Sequence, residues 1–381
     1  MKAHSQFLAL AAAMLAMLAP GTASALSTET SGAPNTIVSP YTYWPTAPQS
    51  GRFYNANGVL TDTELLLFVQ GGGFVNVTTG PGSECPLGEQ ILLFSAARTP
   101  SALRSHFTYE GLVSPCNTTA SGVHYTTGSA FKSDWDSQYK LLINETENGA
   151  EFGEGDFKRV LLGTSPNGKS WTYPSSVNPF LQQSTVSGQL ISIVEVNLVQ
   201  EPGGGDWWGV FNFGSSLPSQ LGILKVEKAP SNPRGFVIKI LDTSNQWSSV
   251  ANDGSFNFMP KNLLSGLDRI GSLLLNNGQY EIWFHKKVAA SQGCDDGIAN
   301  GSTFVYRTIT KSGVLGDEQA VQSNVRVMPT VNNTGRLFPY RFNAGGGGKY
   351  LYSSSTDHIC QDKGPQAGFR GMEIVLTFVD N

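Results

Sequence analysis

Charge is scarce in this 381-residue chain: Asp, Glu, Lys and Arg together make up 14% of it, with a net charge of −4. No cluster of lysine and arginine stands anywhere along it, which excludes the electrostatic footprint of a nucleic-acid binder and leaves neutral or weakly charged partners. Beyond the first residues no apolar run is long enough for a transmembrane helix, and no lipid-anchor motif is visible. No membrane association is therefore expected. Cysteine is limited to four residues whose spacing does not resemble a zinc site, so no cofactor is expected.

What is abundant points one way. There are 43 Gly, 20 Pro and 10% aromatic residues, which suits many short strands and tight turns better than helices, so an all-β fold is expected. The first residues read as a secretory signal: Lys2 gives the positive start, Phe7 to Leu18 a short apolar stretch, and Ala23-Ser24-Ala25 a small-residue cleavage site. Residues 1–25 are thus expected to be removed, residues 26–381 to form one domain, and the product to be secreted or periplasmic and monomeric. In an oxidising compartment Cys85, Cys116, Cys294 and Cys360 suggest two disulfides, with three possible pairings. Cys85 with Cys116 would staple one repeat, and Cys294 with Cys360 would join equivalent loops of neighbouring repeats.

The repeat is the strongest signal. Strand-like segments ending or centred on an aromatic residue occur at Phe68, Tyr139, Trp208, Tyr280 and Tyr350, separated by 71, 69, 72 and 70 residues. Each is followed by a second apolar strand, beginning at Ile91, Val160, Leu221, Thr303 and Met372. A third strand is best seen in GFVIKIL from Gly235. Units of about four short antiparallel strands cannot bury both faces alone and stack radially, which predicts a five-bladed β-propeller of about 70 residues per blade. A pair of β-sandwich domains would also give short strands but not a period near seventy. Residues Thr36 to Tyr43 are expected to pair with Met372 to Phe378 and close the ring.

In a propeller the first strand of each blade lines the central channel. The segments just before the five aromatic markers read FYNANGV, HYTTGSAF, ISIVEVNLV, GLDRIGSLLL and GRLFPYRF, and they carry four ionisable groups of note: Glu195, Asp268, Arg269 and Arg336. Glu195 interrupts the apolar run Ile191 to Val199, where burial raises a carboxyl pKa and suits it to general-acid work. An ion-pair network with Arg269 or Arg336 would be the structural alternative. His124 and Asn57 stand near strand starts as further substrate-binding candidates or as turn residues.

Other features carry less. Gly71 to Gly73 and Gly345 to Gly348 lack the context of a phosphate cradle. Trp207 and Trp208 suit packing between blades, although one, Trp208, could stack on a sugar ring at the channel mouth. Asp295 and Asp296 could bind calcium, but without the rest of a loop motif they are more often solvated. Sequons at Asn76, Asn117, Asn144, Asn300 and Asn332 matter only in a eukaryotic secretory host.

The segment from Gln138 to Trp171, with Ser165, Asn167, Gly168 and Trp171 at its end, resembles the blade pattern of the five-bladed propeller glycoside hydrolases, which include arabinosidases, xylosidases and fructosidases. Glu195, followed by a short strand and the pair Trp207-Trp208, resembles the segment that bears their general acid. The resemblance covers about half of the chain. It implies carbohydrate as the partner and glycoside hydrolysis as the activity. The family also places aspartates in the first strands of blades one and two, where this chain reads YNANGVL and TTGSAF, with Asp62 and Asp134 only further downstream.

Two functions follow as expectations. The first is a hydrolase acting on a poly- or oligosaccharide, with Glu195 as acid, Asp268 as base or nucleophile, and Arg269 and Arg336 orienting substrate; paired carboxyl groups would lie within roughly 5 to 10 Å. The second is a non-catalytic, lectin-like propeller that binds glycans or a surface partner, which the missing aspartates favour.

Overall fold

A computed structural model describes residues 35–43, 52–72, 80–85, 89–116, 123–146, 157–215, 219–276, 278–286, 304–320, 340–343, 349–356 and 372–379. The segment 1–25 and Arg336, Cys294, Cys360, Asp295 and Asp296 lie outside these residues. The chain is all-β among them, with one four-residue helical turn at Pro40–Tyr43 and a single 3-10 turn at Ala102–Arg104. No helix among the described residues is long and apolar enough to cross a membrane.

After β1 (Asn35–Val38), the first sheet comprises β2 (Arg52–Leu60), β3 (Glu64–Gly72), β4 (Gln90–Ala97) and β5 (Thr108–Leu112) in chain order. The second comprises β6 (His124–Lys132), β7 (Tyr139–Thr146), β8 (Phe157–Ser165) and β9 (Leu181–Gln182). The third has six strands: β10 (Ser184–Val186), β11 (Gln189–Gln200), β12 (Trp207–Gly214), β13 (Gln220–Lys228), β14 (Phe236–Leu241) and β15 (Trp247–Ser249). The fourth holds β16 (Leu267–Asn276), β17 (Gln279–Lys286), β18 (Phe304–Ile309) and β19 (Gln319–Ala320). The last holds β20 (Tyr340–Asn343), β21 (Lys349–Thr356) and β22 (Met372–Val379), with β1 on its outer edge. Every pairing is antiparallel.

The first strands contact one another in a cycle, β2 with β6, β6 with β11, β11 with β16, β16 with β20 and β20 with β2, which is a β-propeller arrangement. Five equal blades are not what forms: four sheets have four strands, and the third has six. The departure has a local cause, because β10 turns back through Ser187-Gly188 onto only the first three residues of β11, and β15 adds three residues beyond β14.

The five aromatic markers all fall in the second strand of their sheet, on β3, β7, β12, β17 and β21. Of these, β3, β7 and β12 are buried over nearly their whole length, and the pleat sends alternate side chains to opposite neighbours. On β3, Leu65, Leu67 and Val69 join a cluster containing Ile37, Val38 and Ile374, while Leu66 and Phe68 join Tyr139, Leu141 and Ile143 of the second sheet. On β12, Trp207, Phe211 and Phe213 face the second sheet and Trp208 and Val210 the fourth. The core is thus a set of apolar layers between successive sheets.

The strand β1 pairs with β22, Asn35 opposite Leu376 and Val38 opposite Ile374, so the expected ring closure forms through Val38, whereas Pro40–Tyr43, also expected to pair, form the helical turn. Cys85 and Cys116 form a disulfide with a Cα–Cα distance of 5.6 Å, joining the segment before β4 to the segment after β5. From the loop after β8, Lys169 Nζ reaches from the second sheet to Glu64 and Glu110 of the first, at 3.0 and 3.1 Å, and the Ser95 hydroxyl donates to Glu110 at 2.5 Å.

Ile37 is fully buried against the first sheet. Ile37→Ala should therefore lower unfolding free energy by about 2–5 kcal/mol in a denaturant titration. The Ser95 hydroxyl, and then Lys169 after the opposing pull of burial, hold the Glu110 carboxyl below its ordinary value of 4.5. A depressed carboxyl contributes stability that is present above the unfolded-state value and lost as pH falls through the folded one. Tm should accordingly fall as pH drops below about 4.5, and less steeply in Ser95→Ala over the same window.

Candidate active site on the inner strands

Inner strands carry polar side chains that are nevertheless buried: Asn55 and Asn57 on β2, Thr126, Thr127 and Ser129 on β6, Ser192, Glu195 and Asn197 on β11, and Ser272 on β16. Each of these four strands is also broken by a bulge against its second strand. The register shifts between Tyr54 and Ala56, between Thr127 and Ala130, between Val194 and Asn197, and on β16 between Leu267 and Arg269 and again between Ile270 and Ser272. A bulge frees peptide groups from the ladder and re-aims the side chain that sits on it.

Five non-glycine residues among those described have positive φ, and three of them, Ser137, Ser187 and Asn245, lie in turns. The other two are inside inner strands on bulges: Asn55 with φ +45° and Glu195 with φ +51°. Such conformations cost on the order of 1–3 kcal/mol each and persist only where the surroundings enforce them. At Glu195 the enforcement is visible. Its N–H donates to Asn144 Oδ1 at 3.1 Å, and its carbonyl accepts from Asn197 Nδ2 at 2.9 Å, so both peptide groups released by the bulge are satisfied by side chains. The residue is 5% exposed, between Val194 and Val196, as its place in an apolar run predicts.

Asn55 begins a chain of hydrogen bonds that leads away from the inner strand. Its Nδ2 donates to Gln70 Oε1 at 2.7 Å, Gln70 Nε2 donates to Glu89 Oε2 at 2.7 Å, and the Glu89 N–H donates to His124 Nδ1 at 3.2 Å. A carboxylate only accepts, so Glu89 fixes the Gln70 amide, which in turn fixes the Asn55 amide with its nitrogen toward Gln70.

The structure distributes the remaining candidates unevenly. Asn57 spends its amide on Gly128 O, at 2.6 Å, and on the Gly58 N–H, so it ties β2 to β6. Trp208 is 2% exposed with its ring 4.5 Å from that of Tyr280, which makes it core between the third and fourth sheets and leaves no face for a sugar. Trp207 stacks on Trp135 at 4.3 Å. Asp268 sits at a bulge of β16, equivalent in kind to that of Glu195, but the side chains of Asp268 and Arg269, like Arg336, lie outside the described residues. No group of three His, Cys, Asp or Glu that could hold a metal ion occurs among the described residues.

Sequence reasoning missed Asn55, Gln70, Glu89 and Asn144. A usable signal existed, since Gln70 and Asn144 each close an apolar second-strand run, LLLFVQ and KLLIN.

Asn144 also heads the sequon Asn144-Glu145-Thr146. It is 1% exposed, and its Nδ2 donates to Thr126 Oγ1 at 2.8 Å. Glycopeptide mass spectrometry of material secreted by a eukaryotic host should find Asn144 unmodified; a glycan there in folded protein would contradict this placement.

No family model matches the chain, and no curated protein matches it in sequence. Among solved structures it is similar to one from the GH130 family of mannoside phosphorylases, which contains glycoside hydrolases that target β-1,2 mannosidic linkages in Candida mannan (14% identity over 94% of this chain and 95% of that one, TM-score 0.49). It is also similar to a glycosyl hydrolase from Bacteroides ovatus (14%, 93% and 92%, TM-score 0.49) and to an inulosucrase from Halalkalicoccus jeotgali (12%, 86% and 81%, TM-score 0.43).

Proposed function

We propose that this chain is a secreted, monomeric glycoside hydrolase built as a five-bladed propeller, the third blade enlarged to six strands, with its site where the inner strands converge. Glu195 is its general acid, donating a proton to the leaving oxygen of a glycosidic bond. Asp268, on the bulge of β16, is the base or nucleophile, and Arg269 and Arg336 orient the sugar. The observation that carries this reading is the placement of Glu195: a buried carboxylate on a strained bulge whose two peptide groups are both held by side chains. The bulge aims whatever side chain it carries, and at position 195 that side chain is a carboxyl group in a buried place.

A second reading, a lectin-like propeller without turnover, is favoured by Asn55. The matching bulge on β2 bears a neutral amide and not a carboxylate.

The two separate on one variant. Glu195→Gln should reduce release of reducing ends from a panel of poly- and oligosaccharides by at least about 100-fold, with circular dichroism and Tm retained. Unchanged release would remove Glu195 from the chemistry, and glycan binding without release in the unaltered protein would select the lectin.

A further inference from the structure

We infer that Asn144 is a positioning residue for Glu195, resting on the general-acid reading above. The bulge on β11 takes the Glu195 N–H out of the ladder, and a buried N–H needs an acceptor. Asn144 supplies it from a different sheet. It lies on β7, opposite Thr126 of β6, and its side chain reaches past β6 to β11. Two features make that reach possible and directional. Gly128 of β6 lets β11 come close, since a Cβ there would lie 2.7 Å from Val196 O. The Thr126 hydroxyl accepts from Asn144 Nδ2, which leaves Oδ1 as the atom aimed at Glu195.

The consequence is that the carboxyl group of one sheet is set by an amide of its neighbour. Asn144 touches no substrate in this account; it fixes the φ of residue 195, and with it the direction of the side chain. Loss of the acceptor lets the bulge relax toward ordinary strand geometry, which moves the carboxyl away from the bond to be cleaved.

Two variants and two readouts test this. Asn144→Leu removes the acceptor, whereas Asn144→Asp keeps an acceptor oxygen and adds charge. In Asn144→Leu, backbone hydrogen exchange at residue 195 should accelerate at least about tenfold, and kcat should fall at least about tenfold with KM little changed. In Asn144→Asp the exchange protection should return. Its carboxylate beside Glu195 should also move the alkaline limb of the kcat profile upward by about one pH unit, because a like charge disfavours ionisation of the acid. Unchanged exchange at residue 195 in Asn144→Leu, or an unmoved alkaline limb in an active Asn144→Asp, overturns the assignment. Should Asn144→Leu fail to fold, Asn144→Asp decides by its alkaline limb. Retained activity in Glu195→Gln would instead defeat the acid reading alone, because exchange at residue 195 reports the Asn144 contact without any turnover.

Discussion

The structure depends on how closely its inner strands approach one another. These strands belong to different sheets and share no ladder, so side chains must make the connections. Thr127 Oγ1 donates to Asn55 O, Asn57 Nδ2 donates to Gly128 O, and the Leu198 N–H donates to Ser129 Oγ at 2.7 Å. Each bond crosses from one sheet to the next, and each uses a peptide group at or beside a bulge. Small and polar residues are needed here for two reasons. Bulky ones would hold the strands apart, as the 2.7 Å limit at Gly128 shows, and apolar ones would leave the freed peptide groups unsatisfied in a buried place.

Further from the axis the connection changes character. Apolar layers fill the wedge between sheets and supply the bulk of the stability in proportion to the area they bury. Polar staples then fix the turns. Trp135 Nε1 donates to the carbonyls of Gly204 and Gly205, and Tyr280 donates to Glu201, which Lys311 also pairs. Arg234 makes a further buried tie. Its Nη2 donates to the carbonyls of Val177, Pro179 and Phe180, with Phe180 and Phe236 against the guanidinium, and burial pushes its pKa down to about 10. Half-buried pairs such as Lys169 with Glu64 contribute little individually, so they set register between sheets more than they stabilise them.

This division explains what the sequence disclosed. Double-sided burial favours apolar runs on β3, β7 and β12, so the second strands stood out at Phe68, Tyr139 and Trp208, the period carried the marking on to Tyr280 and Tyr350, and the first strands could be located from them. The pairing of β1 with β22 and the Cys85–Cys116 disulfide were legible for the same reason, as each completes a repeat. The enlarged third sheet was not. Strands of three residues, Ser184–Val186 and Trp247–Ser249, are too short to show a period. The function of Asn144 was hidden because it arises from a bulge on a strand fifty residues away, and no local pattern encodes that distance. At Trp208 both readings stood in the sequence, because an aromatic pair looks the same whether it is packed between sheets or offered to a ligand, and packing is the one that forms.

Backbone strain alone does not identify the chemistry, and the comparison of Asn55 with Glu195 makes the point. Both are the first residue of a bulge, both have positive φ, and the residue before each lies opposite an amide side chain, Gln70 or Asn212. The ring therefore imposes this backbone on β2 and β11 alike, whatever side chain sits there. What differs is the group presented. At Asn55 a relay through Gln70 to Glu89 fixes a neutral amide, whereas position 195 presents a buried carboxyl group. The strained bulge supplies an aimed position; the carboxylate on β11 is what converts one such position into a candidate acid.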